Sequence, residues 1–142
     1  MKNTLLETQP LSNGTTLRLV DASRPQIGDR WIVILEARIE IPISESCVRP
    51  EEMDGLSLQT LQKVLGRSVT YTSRKERIFV PVTEKDRLLQ TFLDDFRRDM
   101  LPYLSHPAFP PRYILKQYRE IEKRQSWAKA ETLWPGETPK QS

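Results

Sequence analysis

Four basic residues near the C-terminus recur at the spacing of one helical turn, and they are Arg112, Lys116, Arg119 and Lys123. On a helix that advances about 100° per residue, these residues fall within about 60° of one another, and we call them the basic stripe. A row of cations at this spacing matches a phosphate backbone or an acidic protein surface, because each contact releases counterions. The alternative is a solvated helix face, since lysine and arginine are favoured helix formers and charge runs usually lie at the surface. The stripe is therefore a hypothetical binding surface.

A second basic cluster, formed by Arg74, Lys75 and Arg77, lies in the middle of the chain, where we expect the tip of a hairpin. If this tip lay beside the basic stripe, the two clusters would form one continuous footprint for a nucleic acid or a nucleotide. The alternative is a charged tip that prevents sheet edges from pairing with other chains. No aromatic and glycine motif typical of nucleic-acid binding accompanies either cluster.

Few residues could support catalysis, since the chain has one histidine, one cysteine and five glycines. We expect His106 to be a packing or surface residue. A metal site needs three or four clustered donors, so we predict no metal and no other cofactor. Asp95 and Asp99 share a helix face, and Glu36 and Glu40 share a strand face, but such pairs are common on solvated surfaces. We predict no catalytic residues, and a carboxylate-based enzyme built around His106 is the least favoured alternative.

The triplet Asp21-Ala22-Ser23, followed by Gly28, resembles the aspartate-x-serine-x-x-glycine element of PilZ domains, which bind a cyclic dinucleotide. The glycine follows the serine by five residues instead of three. The only basic residues before the aspartate are Lys2 and Arg18, so the upstream arginine pair of that family has no counterpart. The same residue types cluster in surface turns because they bond their own backbone, and a turn is the interpretation we favour.

A wider pattern resembles small uncharacterised bacterial proteins, and this resemblance implies no activity. It covers less than a third of the chain and consists of Asn13-Gly14, Ser23-Arg24, Gly28-Asp29-Arg30-Trp31, Ala37-Arg38-Ile39 and Ile41-Pro42.

The composition indicates one globular domain of 142 residues, with 37% hydrophobic and 29% charged residues. A chain of this size buries roughly 68 to 70% of the surface that its unfolded form exposes, so it needs no disulfide or metal. No apolar run approaches the roughly 20 residues that cross a bilayer. The N-terminus lacks a secretory apolar segment and Cys47 is a lone thiol, so we expect a cytoplasmic protein that does not bind membranes.

The net charge of +3 is unevenly distributed. Residues 1–66 contain seven basic and nine acidic side chains, whereas residues 111–130 contain six and two. The basic C-terminal part either steers an acidic partner or serves solubility.

Alternation dominates the first half of the chain and predicts strands. Residues 5–8 and 15–21 flank an Asn13-Gly14 turn, whose residue types tolerate the positive φ angles of tight hairpins. Between residues 30 and 43 every odd position is apolar, which predicts one long, bent strand with one face on the core.

Helical spacing appears in three later segments. We predict a short helix after a Ser57 N-cap. Alternation returns over residues 69–82 and predicts a second hairpin, with a charged tip at residues 73–76. A second helix would begin with a Thr83 capping box and end before Pro102. An extended segment, 105–111, would then lead into a third helix that begins at Pro111 and runs to about residue 130.

These elements predict an α+β fold with an antiparallel sheet of about five strands, packed by two to three helices. The domain would span residues 1–133, with a flexible tail over 134–142. We expect a non-catalytic module that binds another protein or itself as a homodimer. The alternative is nucleic-acid or nucleotide binding through the basic stripe together with Arg74 and Lys75.

Overall fold

The computed structural model describes residues 3–49, 51 and 53–132, with the backbone alone described for 129–132. It confirms the α+β class: one antiparallel sheet of five strands carries helices on one face. The strands are β1 (Thr4–Pro10), β2 (Thr16–Asp21), β3 (Arg24–Ile27), β4 (Arg30–Pro42) and β5 (Ser68–Pro81). The helices are α1 (Leu58–Leu65), α2 (Lys85–Asp99), α3 (Leu101–Leu104) and α4 (Phe109–Thr132).

Strand β4 lies at the centre of the sheet. Strands β2 and β3 pair with one of its sides and β5 with the other, while β1 pairs with β2. Two residues, 22 and 23, separate β2 from β3, and polar side chains at this junction form hydrogen bonds with nearby backbone groups. The carboxylate of Asp21 accepts the N–H of Ser23 at 2.9 Å, and the Ser23 hydroxyl accepts the N–H of Ile34 at 2.9 Å. The residues that resemble the PilZ element thus form a strand junction, and the tight turn lies later, at Gly28.

The alternating pattern of β4 is confirmed by burial. From Val33 to Ile43 every odd-numbered side chain is buried, and these side chains form one cluster with apolar residues of the helices. Residues Phe92, Leu93 and Phe96 of α2 are buried against it, as helical spacing predicts. The hydrophobic effect therefore places the helices on the odd-numbered face of β4.

The first hairpin is confirmed, but its turn differs from the one expected. A loop of five residues, 11–15, joins β1 to β2; within it the N–H of Leu11 donates to the carbonyl oxygen of Thr15, and the N–H of Gly14 donates to the carbonyl oxygen of Leu11. Among the described loop residues only Gly14 has a positive φ, of 90°. Asn13 instead uses its side-chain amide to donate to the carbonyl oxygens of Leu104 and His106, and so fastens the loop to the end of α3.

The predicted second hairpin is wrong. Residues 68–81 form one continuous strand that pairs with the whole of β4, and the proposed tip at 73–76 lies in its middle. Those four residues are charged or polar, but they include no glycine, asparagine or proline that would favour a turn. A charged stretch can continue as a strand when it lies at a sheet edge, where its side chains reach solvent.

Two expectations about the helices are also wrong. Helix α2 begins at Lys85 without a side-chain cap, so Thr83 forms no capping box. Residues 105–111 are not extended: turns follow α3, and α4 begins at Phe109, with its prolines in the first turn, where no N–H partner is lost. The Ser57 cap is confirmed by its bond from the N–H of Thr60 at 3.1 Å.

The expected tail over residues 134–142 lies outside the described residues. None of the helices within the described part has the length and apolarity needed to cross a membrane.

Candidate interaction surfaces

Along the outer edge of β5 runs a row of backbone groups, most of which have no partner among the residues that the structure describes. The N–H of Ile43 donates to the carbonyl oxygen of Arg67. From this bond and the register of the ladder, the odd-numbered residues of β5 as far as Arg77 direct their backbone N–H and C=O groups toward β4. The even-numbered residues from Ser68 to Glu76 therefore direct their N–H and C=O groups outward. Within the described part of the chain, the only partner of these groups is the Tyr113 hydroxyl, which donates to Thr70 at 3.3 Å.

The opposite edge of the sheet, β1, is better protected. The bond between Leu11 and Thr15 places Thr8 and Pro10 outward in the same way, but proline has no N–H. The ladder is also irregular between Leu5 and Glu7, and Glu7 is tied to α2 through an ion pair with Arg97. Proline, bulges and short length usually protect edge strands from pairing with other chains. Strand β1 has such protection, whereas β5 has a longer row of outward backbone groups.

Two of the charged side chains in the middle of β5, Arg74 and Lys75, turn away from its edge. Lys75 lies on the helix side, with its Nζ 3.8 Å from a carboxylate oxygen of Asp95 and 5.2 Å from the ring centre of Phe92. Arg74 lies on the other face of the sheet, 3.6 Å from Glu36. Lysine often protects an edge by projecting from it, but both of these cations are held by their own subunit.

Glu36 is a buried carboxylate on the solvent-facing side of the sheet, with 7% of its surface exposed. It pairs with Arg38 two residues along β4 and with Arg74 across the ladder. Two guanidinium groups thus compensate one buried charge, which is the arrangement that burial of a carboxylate requires. Arg74 is therefore engaged in an ion-pair network, and it also lies 3.9 Å from Glu76.

Exposed apolar side chains gather at one end of the sheet, beside the turn between β3 and β4. They are Ile27, Ile78, Phe79 and Val82. Phe79 is 56% exposed and has a φ of 57°, which is unfavourable for a residue with a bulky side chain. Its N–H donates to the side chain of Gln26 at 3.0 Å, which holds the strained backbone in place. Strain of this kind persists where the surroundings impose it, often at binding sites.

A cleft of about 290 Å³ lies between β5 and α2. Its walls include Ser73, Lys75, Phe96 and the predicted carboxylate pair, Asp95 and Asp99. The hydrogen bond from Arg98 lowers the pKa of Asp99, and Arg98 also lies 3.1 Å from Asp95. A lowered pKa favours the ionised form of Asp99, so this carboxylate does not resemble a general acid.

The basic stripe lies on α4, and its members differ in their surroundings. Arg119 forms an ion pair with Asp54, in the segment that leads into α1. Lys116 is exposed and forms no ion pair with any residue that the structure describes. Arg112 is exposed, and Lys123 places its Nζ 5.1 Å from the ring centre of Trp127. The two Lys side chains are therefore the stripe members best placed to meet an acidic partner.

The second half of α4 extends beyond the body of the protein. Ile114 anchors the first half in the core, but every described side chain from residue 122 to residue 128 is exposed. Trp127 is 62% exposed, and helical geometry places it within about 40° of Lys123 on the wheel. The stripe thus continues into an exposed aromatic ring, which the sequence analysis did not single out.

Ion pairs hold Arg74 and Lys75, the two members of the second basic cluster proposed to bind a nucleic acid. Arg74 is bound to Glu36 and Glu76, and Lys75 is bound to Asp95.

The remaining candidates for chemistry have local roles. His106 is exposed, and its Nδ1 accepts the N–H of Ala108 at 3.0 Å, at the turn before α4. No carboxylate among the described residues contacts its ring, so the convergence required by a carboxylate enzyme is not found there. Cys47 is buried. No group of three or more metal-binding side chains occurs in the described residues.

Sequence reasoning missed the β5 edge because it divided that strand in two. The residue pattern contained a warning, since the presumed tip has no glycine, asparagine, aspartate or proline, and Ser73 is its only residue of a type that favours turns. The grouping of Ile27 with Phe79 had no sequence signal, because it depends on the register between β3, β4 and β5.

In comparisons with known proteins, no family model, curated protein or solved structure matches the chain.

Proposed function

We propose that this protein is a non-catalytic interaction module that binds an extended segment of a protein partner by adding it as a strand to the edge of β5. The observation that carries the proposal is the row of outward backbone groups between Thr72 and Glu76, which no described residue satisfies. Added strands gain main-chain hydrogen bonds from such an edge, and side chains beside it supply specificity.

The exposed apolar group at the end of β5 supports the same function. Phe79 and Ile78 follow directly on the open edge, so a partner strand there would cover apolar surface as well as complete a hydrogen-bond ladder. Aromatic side chains are common anchors of protein interfaces, and that of Phe79 is 56% exposed. We place this activity in the cytoplasm, which suits a chain whose single thiol is free and buried.

A proline at an outward position tests strand addition without removing a ladder bond to β4. In Thr72→Pro the outward N–H is lost, whereas Thr8→Pro removes the matching N–H from the β1 edge. Proteins captured by the wild type should be lost with Thr72→Pro and kept with Thr8→Pro, provided that circular dichroism shows both variants folded. In the isolated complex, the amides of Thr72, Arg74 and Glu76 should gain protection from hydrogen exchange. Equal capture by all three proteins, or no gain in protection, would contradict the proposal.

A second candidate function is nucleic-acid binding by the basic stripe, and the exposure of Trp127 is the observation that favours it. Single-stranded nucleic acids bind surfaces that combine cations with aromatic rings on which bases stack. Lys116 and Lys123 would contact phosphates, and Trp127 would contact a base.

Fluorescence anisotropy with labelled single-stranded DNA and RNA at low salt tests this candidate. Charge reversal at Lys116 and Lys123 should weaken binding at least about tenfold and reduce its salt dependence. Reversal of Lys63, an exposed lysine of α1, is the matched control and should have little effect. If binding is absent, or if both reversals act alike, the stripe is an ordinary solvated face.

A further inference from the structure

We propose that the strand added to β5 comes from a second copy of this chain, so that two sheets join into one across a two-fold axis. This inference rests on the proposed function, because it names the occupant of the same edge. The occupant is identified by charge complementarity along β5, which only one register provides.

The outward row limits the registers that two copies can adopt. In an antiparallel pair, residues that exchange hydrogen bonds lie directly opposite each other. Because the outward residues of β5 are the even-numbered ones from 68 to 76, an even-numbered residue must face an even-numbered residue of the second copy. The two-fold axis of such an isologous pair therefore passes through a residue position of β5, and not between two positions.

Packing of α4 excludes registers that use the beginning of the strand. The carbonyl oxygen of Thr70 already accepts the hydroxyl of Tyr113, so this position is covered. Axes at residues 72 and 73 would require Thr70 to pair with the second copy, and they are excluded for that reason.

Charge selects among the remaining registers. An axis at Arg74 would set two arginines opposite each other, and an axis at Glu76 would set two glutamates opposite each other, which is unfavourable. An axis at Lys75 places Arg74 opposite Glu76 of the second copy, and symmetry repeats this contact. Thr72 then lies opposite the exposed Ile78 of the second copy, just beyond the outward row, where the ladder between β4 and β5 becomes irregular.

This register also brings the two Lys75 residues face to face on the helix side of the sheet. Like charges in such a pair usually repel. Here each Nζ is held 3.8 Å from Asp95 of its own subunit and lies near the Phe92 ring. The ammonium groups are thus directed toward α2, away from the axis.

Charge-swapped variants test the register in the full-length protein. Sedimentation equilibrium should show a dimer for the wild type, and Arg74→Glu and Glu76→Arg should each weaken the dimer about tenfold or more. The double variant R74E/E76R restores opposite charges across the axis, so its dissociation constant should return to within a few fold of the wild-type value. Because Arg74 also contacts the buried Glu36, urea unfolding is measured for each variant: failure of the double variant to recover at wild-type stability overturns the register, and the cysteine test below decides the matter if stability is lost.

A cysteine at the axis gives a second test that does not depend on charge. Opposed residues in an antiparallel pair have Cα atoms about 4.5 to 5.5 Å apart, within the range that a disulfide spans. Lys75→Cys should therefore form an intermolecular disulfide on mild oxidation. Arg77→Cys is the control, since the two copies of residue 77 would lie about 13 Å apart along the strand. Cys47 is buried and does not compete.

The outcomes separate this inference from the proposed function. A wild type that stays monomeric at every concentration, with no disulfide in Lys75→Cys, overturns the second copy as the occupant. If Thr72→Pro still abolishes capture of another protein, strand addition at β5 stands with a different partner. A dimer that persists unchanged in Thr72→Pro overturns the inference as well, because the interface then lies elsewhere.

Discussion

The hydroxyl group of Tyr113 on α4 donates to the carbonyl oxygen of Thr70 on β5 at 3.3 Å. The same ring makes an edge contact with Tyr71, at 5.5 Å between ring centres. One aromatic side chain therefore closes the beginning of the β5 edge and attaches the last helix to the sheet. The open part of the edge begins where this contact ends.

Tyr113→Phe should reduce stability modestly at neutral pH and remove a pH dependence at alkaline pH. Loss of one hydrogen bond at a partly exposed site costs about 0.5 to 1 kcal/mol. Burial, aided by Glu120 and Tyr71, raises the pKa of the Tyr113 hydroxyl in the folded protein. A phenol with a raised folded pKa contributes stability below its unfolded pKa of about 10 and loses that contribution as the pH rises through the folded value.

Urea unfolding at a series of pH values measures this effect. The stability difference between wild type and Tyr113→Phe should shrink above about pH 10. Tyr103→Phe is a suitable control, since Tyr103 is an exposed tyrosine of α3. A difference that stays constant or grows with pH would contradict the assignment.

Phe79→Gly should leave stability unchanged or raise it by up to about 1 kcal/mol. A residue with a side chain pays roughly 1 to 2 kcal/mol for a left-handed backbone, and glycine avoids this cost at a smaller cost in chain entropy. Ile78→Gly is the matched control: Ile78 is similarly exposed but has no positive φ, so glycine there should destabilise by about 0.5 to 1 kcal/mol. Thermal unfolding of both variants measures the contrast. Similar losses in the two variants would show that position 79 is unstrained.

Glu36→Gln should destabilise the fold by about 1 to 2 kcal/mol, because it leaves Arg38 and Arg74 without the carboxylate that both contact. Both arginines are nearly half exposed, so solvent limits the loss. Glu40→Gln, on the same face but exposed, should change the free energy of unfolding by less than about 0.5 kcal/mol. Denaturant titration of the two variants decides the matter, and equal losses would refute a special role for Glu36.

Asn13→Ala should cost about 1 to 3 kcal/mol, since the side-chain amide bonds two carbonyl oxygens at the end of α3 and its oxygen accepts the N–H of Thr15. Ser12→Ala, which removes one exposed bond to Ser105, is the control and should cost less. Chemical unfolding monitored by tryptophan fluorescence compares them. A smaller loss of stability for Asn13→Ala than for Ser12→Ala would contradict the role of Asn13 in fastening the loop to α3.

Periodicity predicted the parts of this fold that are governed by burial. The odd-numbered side chains of β4 and the apolar residues of α2 are buried because the hydrophobic effect acts on every member of a repeating pattern. Local polar chemistry was less reliable. Thr83 does not cap α2, and Asn13 serves a contact between elements far apart in sequence, which no local rule could reveal.

The candidate surfaces were predicted less well than the fold, for a physical reason. A basic stripe follows from helical spacing, and the structure places its residues on one helix. Whether a cation has a partner depends on tertiary contacts, as Arg119 with Asp54 and Lys75 with Asp95 illustrate. The open edge of β5 could be recognised only once the strand was known to be continuous and to lie last in the sheet.

The position of β5 also bears on how the chain folds. Strands β1 to β4 pair with neighbours close in sequence, whereas β5 reaches β4 only after the intervening segment 43–67. Closing so long a connection is slower than forming a hairpin. During synthesis the first four strands therefore emerge and pair before β5 is available, and the flank of β4 stays bare in that interval. A nascent chain of this protein should consequently be most vulnerable to aggregation, and most dependent on chaperones, just before its fifth strand docks.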